Sequence, residues 1–225
     1  PYDTAEDNEV WERPSDWLEL PSMAAGNNKF VGLIAVYDHD SNFVAVRAAN
    51  AYTIDWGDGN GPQNFAASTT ANCKYDYTSL SSGSISSRGY KQAIVTITPQ
   101  AANTLTSVDL VSYRHPAVGS HSGFSSNRYD IPWLDIAVDS TGLTTFILYS
   151  GSVSLLYSLE RVRIFNHAIT GMTNQFRGLA SLANLNFFTT NNVTNFSSAF
   201  NSCYKLKSIP ELNTANTTTA ASMFS

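Results

Sequence analysis

Residues 200–217 read Phe200-Asn201-Ser202-Cys203-Tyr204-Lys205-Leu206-Lys207-Ser208-Ile209-Pro210-Glu211-Leu212-Asn213-Thr214-Ala215-Asn216-Thr217. Shifting this stretch back by 24 positions superimposes its apolar and turn residues on an earlier copy. Phe176, Phe200 and Phe224 recur at that interval, and Leu182 pairs with Leu206, Leu185 with Ile209, Phe188 with Leu212. Polar positions follow the same offset: Thr190 with Thr214, Asn192 with Asn216, Ser198 with Ser222. One unit earlier, Ile164, Ile169, Thr170 and Met172 match Phe188, Val193, Thr194 and Phe196. A fixed period of this length is the mark of a solenoid, in which no unit buries its apolar face alone and neighbours must stack.

Each unit carries a Leu-x-x-apolar step, Leu182-Ala183-Asn184-Leu185 and Leu206-Lys207-Ser208-Ile209. Leu159–Val162, Leu143–Phe146 and Leu105–Val108 extend it upstream in weaker form. The expected unit is one short strand, a turn, and a short helix or coil ending in the Phe. These units resemble the leucine-rich-like surface repeats of the BspA type, whose M/A-F-x-x-C-x-x-L-x-x-I-P-x-L-x-T-x-N register residues 200–217 follow, with Met223-Phe224 opening another unit. The resemblance is close over 164–225 and degenerate over 103–163. With the sequence stopping just after Phe224, the last stacking face is expected to be covered by more chain or by a partner.

Upstream, the period changes to that of strands. Phe30–Tyr37 and Asn42–Ala48 are β-rich runs joined by Asp38-His39-Asp40-Ser41, which predicts a hairpin. Ala51–Trp56, a turn at Gly57-Asp58-Gly59-Asn60-Gly61, a short strand at Cys73–Tyr77, a long flexible Ser/Gly loop over 78–89 and a strand at Gln92–Thr98 complete the set. Short strands spaced by turn clusters predict a small β-sandwich. Trp56-Gly57-Asp58-Gly59, Tyr75-Asp76-Tyr77 and Ile94-Val95-Thr96-Ile97 together resemble a PKD-type sandwich. The expected organisation is therefore an extended acidic arm over 1–28, a PKD-like sandwich over 29–102 and a leucine-rich-like solenoid over 103–225, mainly β throughout.

Composition narrows the functions. Charged residues are 14% of the 225, against the quarter usual in soluble chains, and Ser, Thr and Asn take their place. A Lys/Glu-laced helical enzyme is disfavoured. Of the net charge of −5, residues 1–20 contribute −6, with seven acids and only Arg13 as a base. The near-neutral remainder offers no footprint for nucleic acid. No apolar run is long enough to span a membrane. The initial Pro predicts a processed protein or a piece of a longer one. Cys73 and Cys203, 130 positions apart, are expected to be separately buried thiols.

Chemistry-bearing motifs are sparse. Asp38–Asn42 starts like a calcium loop, but Phe43 and Ala49 stand where Gly and Glu are needed. Asp55 and Asp58 flank the turn in an expected structural role, with Asp58 bonding turn amides, and a calcium site at either acidic pair is left open. His39, His115, His121 and His167 lack metal-ligand spacing. Asn192-Val193-Thr194, Asn195-Phe196-Ser197 and Asn216-Thr217-Thr218 are glycosylation sequons whose Asn side chains are expected to bond turn backbone. No catalytic residue, cofactor or metal is assigned. Arg161, Arg163, Arg177, Lys205 and Lys207 predict a mildly basic stripe on one solenoid face. Trp11, Trp17 and Leu18 are expected to anchor the arm.

The module order, with Arg13–Pro21, Tyr37–Phe43 and Tyr52–Gly59, resembles structural proteins of tailed bacteriophages such as fibres. That resemblance implies a non-enzymatic virion surface protein: a tail fibre or head appendage, oligomeric, held to other virion proteins or its own copies by the arm. Its solenoid would meet a host glycan or protein. The alternative is a microbial cell-surface adhesin built from the same modules. A third is a carbohydrate-active enzyme using Asp130, Asp135 and Glu160.

Overall fold

The computed structural model describes residues 10–40, 42–113, 115–116, 132–150, 156–186 and 189–225. Residues 1–9, His121, Asp130 and Phe188 lie outside them. The described chain is mainly β, with one 3-10 turn at Ser82–Ser84 and no α-helix among the described residues. Among the described residues eleven strands form two sheets. A seven-stranded sheet runs β11(Asn184–Asn186), β10(Arg161–Ile164), β8(Trp133–Asp139), β1(Lys29–Val36), β6(Lys91–Pro99), β3(Tyr52–Asp55), β4(Gln63–Phe65). A four-stranded sheet runs β5(Thr70–Lys74), β2(Phe43–Ala48), β7(Ser107–Asp109), β9(Thr145–Ile147).

The run Phe30–Val36 is apolar at every position but Gly32, the pattern of a strand covered on both faces. Phe30, Ile34 and Val36 face the core between the sheets, while Val31, Leu33 and Ala35 belong to a second cluster on the opposite face. Gly32 lets the Trp133 indole approach the strand closely, since a Cβ there would sit 2.3 Å from it. Trp133 in turn meets Phe30 edge-on, 5.4 Å between centroids.

The expected hairpin of β1 and β2 does not form. β1 already has β6 and β8 as neighbours, so the chain crosses to the other sheet and β2 pairs with β5 and β7 instead. Asn42 closes the crossing. Its Oδ1 accepts from the Tyr37 N–H at 2.9 Å, and its Nδ2 donates to the Tyr37 and His39 carbonyls, both at 2.8 Å. With Asn42 2% exposed, truncation would leave several buried backbone groups unpaired. Asn42→Ala is expected to cost about 2 kcal/mol in urea denaturation.

The W-G-D-G turn lies as expected at the end of β3. Trp56 is buried and its carbonyl accepts the Tyr75 hydroxyl at 2.7 Å. Gly57 has φ +66°, and a Cβ would lie 2.4 Å from the Ile94 carbonyl oxygen. Asp55 accepts from the Gly57 N–H, and Asp58 accepts from the backbone and side chain of Asn60. The 78–89 tract, expected as a flexible loop, is pinned: Leu80, Ser84 and Ser86 are buried, and the Lys91 ammonium donates to the Tyr77 and Leu80 carbonyls at 2.7 Å.

Residues 10–23 pack on the chain's own seven-stranded sheet. Trp17 and Leu20 cover Val31, Leu33, Ala35, Leu134 and Ala137, with Trp11 and Leu18 at the margin. Trp17 Nε1 donates to the Tyr90 hydroxyl at 2.9 Å, and Gln92 bonds the backbone of both Asp16 and Leu18. Trp17 is therefore spent within the molecule rather than offered to a partner, because the outer face of β1 is apolar and needs a cover.

No sheet boundary falls at 102/103. β8, from the second half, pairs antiparallel with β1, and one hydrophobic core runs from Phe30 to Phe200.

Candidate binding surface

Beyond β8 the pairing changes from antiparallel to parallel. β10 pairs with β8, and β11 with β10, in parallel. Arg161 lies opposite both Asp135 and Asn184, and Arg163 opposite Ala137 and Asn186. The strand period of two sends Val162, Ile164 and Leu185 into the core and leaves Arg161, Arg163, Asn184 and Asn186 on the outer face.

A second parallel row lies across the core. Ser107 pairs with Thr145, the Ala168 N–H bonds the Leu143 carbonyl, and Gly171, Asn195 and Thr219 bridge in series. Between the last segments the Met172, Asn174, Phe176 and Gly178 N–H groups bond the carbonyls of Asn195, Ser197, Ala199 and Asn201. Phe196, Ser198, Phe200 and Ser202 do the same with Thr219, Ala221, Met223 and Ser225. Left-handed backbone recurs with the period, at Asn174, Ser198 and Ser222, and again at Gly178 and Ser202. Phe176, Phe200 and Phe224 stack with 5.3 Å between successive centroids and planes 6° and 11° apart. Phe224 ends the stack 60% exposed.

The Leu-x-x-apolar steps are thereby sorted into two rows. Leu159–Val162 and Leu182–Leu185 lead into β10 and β11 of the larger sheet, whereas Leu105–Val108 and Leu143–Phe146 lead into β7 and β9 of the smaller one. The upstream copies therefore do not continue the same row. Thr194 and Thr218 each send both the backbone N–H and the hydroxyl to the carbonyl 24 residues back, which fixes the threonines of the repeat. Asn195 accepts from the Ser197 N–H and Asn216 donates to the Asn191 carbonyl, as expected of these two sequon asparagines.

The five basic residues do not share one set of contacts. Arg161 and Arg163 converge on Asp135, at 3.8 and 3.3 Å, where Arg13 of the arm also binds at 2.9 Å. Asp135 is fully buried. The β8 register shift opposite Leu33 and Ile34 turns both Leu134 and Asp135 toward the arm. Three guanidiniums thus surround one carboxylate, and Glu19 approaches Arg13 at 3.8 Å. Burial, and next the charge of Arg163, lower the pKa of Arg161. Arg177 instead lies over the Tyr149 ring at 5.5 Å, and Lys205 and Lys207 are exposed in the final coil. Glu160 pairs with Arg88 and accepts from Trp11 Nε1 at 3.1 Å. The two described carboxylates of the glycosidase set, Asp135 and Glu160, are thus both bound to arginines.

No family model matches the chain, and neither a curated protein nor a solved structure shows significant similarity to it. Among the described residues no helix is long and apolar enough to cross a membrane, and no cluster of three His, Cys, Asp or Glu is placed to hold a metal.

Sequence reasoning saw in His167 only the lack of metal-ligand spacing and missed its structural role. Its Nδ1 accepts from the Ile169 N–H at 3.1 Å, so Nε2 carries the proton donated to the Thr189 carbonyl at 2.6 Å. Burial lowers its pKa from 6.5. Protonation would set a second N–H against that of Ile169. The neutral ring's contribution is complete above about pH 6.5 and is lost as pH falls below it. The melting temperature is expected to drop between about pH 7 and pH 5, and His167→Asn, the residue at the equivalent Asn191, to flatten that drop.

Proposed function

We propose that the chain is a non-enzymatic surface-display protein of a virion, a fibre or head appendage, in which a PKD-like sandwich carries a BspA-like leucine-rich solenoid toward a host glycan or protein. The observation that carries this reading is the 24-residue offset shared by hydrogen bonds, left-handed residues and stacked phenylalanines. Coils stacked in this way make a rigid, extended face, which suits adhesion. The low charge and Ser/Thr/Asn-rich exterior support the same reading.

Immunogold electron microscopy on the source culture and its purified particles tests the proposal. Gold at a fixed head or tail position on virions is the expected result. Gold confined to cell envelopes would overturn it in favour of a cell-surface adhesin.

A further inference from the structure

We propose that Arg161, with Arg163 and Asn184 beside it, forms a subsite for one oxyanion, a carboxylate or sulfate group carried by an acidic saccharide. Donor accounting leads there. Arg13 is engaged at each of its three nitrogens: Nε bonds Asp135, Nη1 the Trp17 carbonyl and Nη2 the Leu18 carbonyl. Among the described residues Arg163 makes one hydrogen bond, from Nη2 to Asp135. Arg161 makes none with them, and its one ionic contact among them is the 3.8 Å approach to Asp135.

Nε of both Arg161 and Arg163 is buried without an acceptor. The Arg161 side chain keeps a fifth of its surface open, and its terminal nitrogens are not among the buried unpaired atoms. A guanidinium carries five N–H donors in a planar fork that matches a carboxylate or sulfate edge. Among the described residues the charge is also unbalanced. Asp135 serves three cations, Glu160 is held by Arg88, and the Glu19 carboxylate is almost wholly in solvent, 3.8 Å from Arg13. An added anion therefore meets an excess of positive charge in a half-buried setting, where such contacts are stronger than in open water.

The neighbouring strand supplies the rest of the site. Asn184 is in register with Arg161, and its Oδ1 is taken by Asn186 Nδ2 at 2.8 Å, which leaves the Asn184 amide N–H donors directed elsewhere. Amide donors one strand spacing from a guanidinium suit a ring bearing both hydroxyls and an acid group. The proposal deepens the adhesive reading by naming a ligand class, and it rests on that reading only for the ligand's biological source.

Calorimetric titration of the full chain with a sulfated dextran oligosaccharide, an oligogalacturonate and uncharged dextran tests it at low salt. At least one charged saccharide is expected to bind and dextran not to; which of them binds assigns sulfate or carboxylate. Arg161→Gln is expected to weaken binding about tenfold with an unchanged melting temperature. Arg161→Lys, which keeps the charge but not the fork, should fall between. The Lys205→Gln/Lys207→Gln double variant should bind as the parent does. Absence of binding to both charged probes would overturn the subsite. So would equal loss in the Arg161 and lysine variants, which would mark diffuse attraction. Gold on cell envelopes instead of virions would leave the titration result untouched.

Discussion

Replacing Asp135 with asparagine is expected to destabilise the protein by about 3–5 kcal/mol, the range for removing one member of a buried ionic group. Arg13, Arg161 and Arg163 all point at this one fully buried carboxylate. Without its charge, three guanidiniums repel one another in a setting that screens them poorly. The loss should propagate to the arm, because Arg13 ties residues 10–23 to the sheet. Adding Arg161→Gln to Asp135→Asn should recover part of the stability by removing one unbalanced cation. Urea denaturation of the two single variants and the pair measures this coupling. Strict additivity would mean that the arginines do not act through Asp135.

Phe200→Ala is expected to cost a similar amount, about 3–5 kcal/mol. Phe200 is 3% exposed and is the middle ring of the stack, with Phe176 on one side and Phe224 on the other. Truncation removes the ring contacts on both sides and opens a cavity beside Cys203 and Leu206, which pack against the same core. Hydrogen exchange should report the damage unevenly. Amides of Phe200 and Ser202, which bond Met223 and Ser225, should lose protection, whereas β1 and β6 should keep it.

The stack was legible in advance because a 24-residue recurrence of phenylalanine has few physical readings other than repeated packing of one ring on the next. The strand positions of β1, β2, β3 and β6 were likewise carried by local β-rich runs bounded by turn residues. What such runs do not carry is the sheet each strand joins. β1 and β2 are separated by a short polar link that fits a hairpin, and only the competing claims of β6 and β8 on β1 send β2 across the core. β4, with Gln63 and Asn64 exposed, has no apolar pattern to announce it.

The arm illustrates a signal that was present but open to two readings. Two-sided hydrophobicity in Val31, Leu33 and Ala35 requires a cover, and Trp17 with Leu20 supplies it from within the chain. Read alone, those anchors fit an external partner equally well. The Asp135 centre was beyond reach, because Arg13 and Arg163 come from positions 122 residues before and 28 residues after it and meet only through the β8 register shift and the parallel β8–β10 pairing. A stripe drawn from basic residues close in sequence could not separate Arg161 and Arg163 from Arg177, whose neighbour is Tyr149.

The central claim is that successive coils stack with an offset of 24 residues, and disulfide trapping tests it most directly. The Ser197 and Thr219 hydroxyl oxygens lie 3.2 Å apart across adjacent coils. Burial pushes the Cys73 thiol up to about 12 and the Cys203 thiol up to about 11, so both native thiols stay protonated and compete poorly at neutral pH. Under mild oxidation the Ser197→Cys/Thr219→Cys variant is expected to cross-link readily, and the out-of-register Ser197→Cys/Thr214→Cys variant is not. Equal cross-linking of the two pairs, or trapping of the second alone, would contradict the stacked-coil register and the display surface built on it.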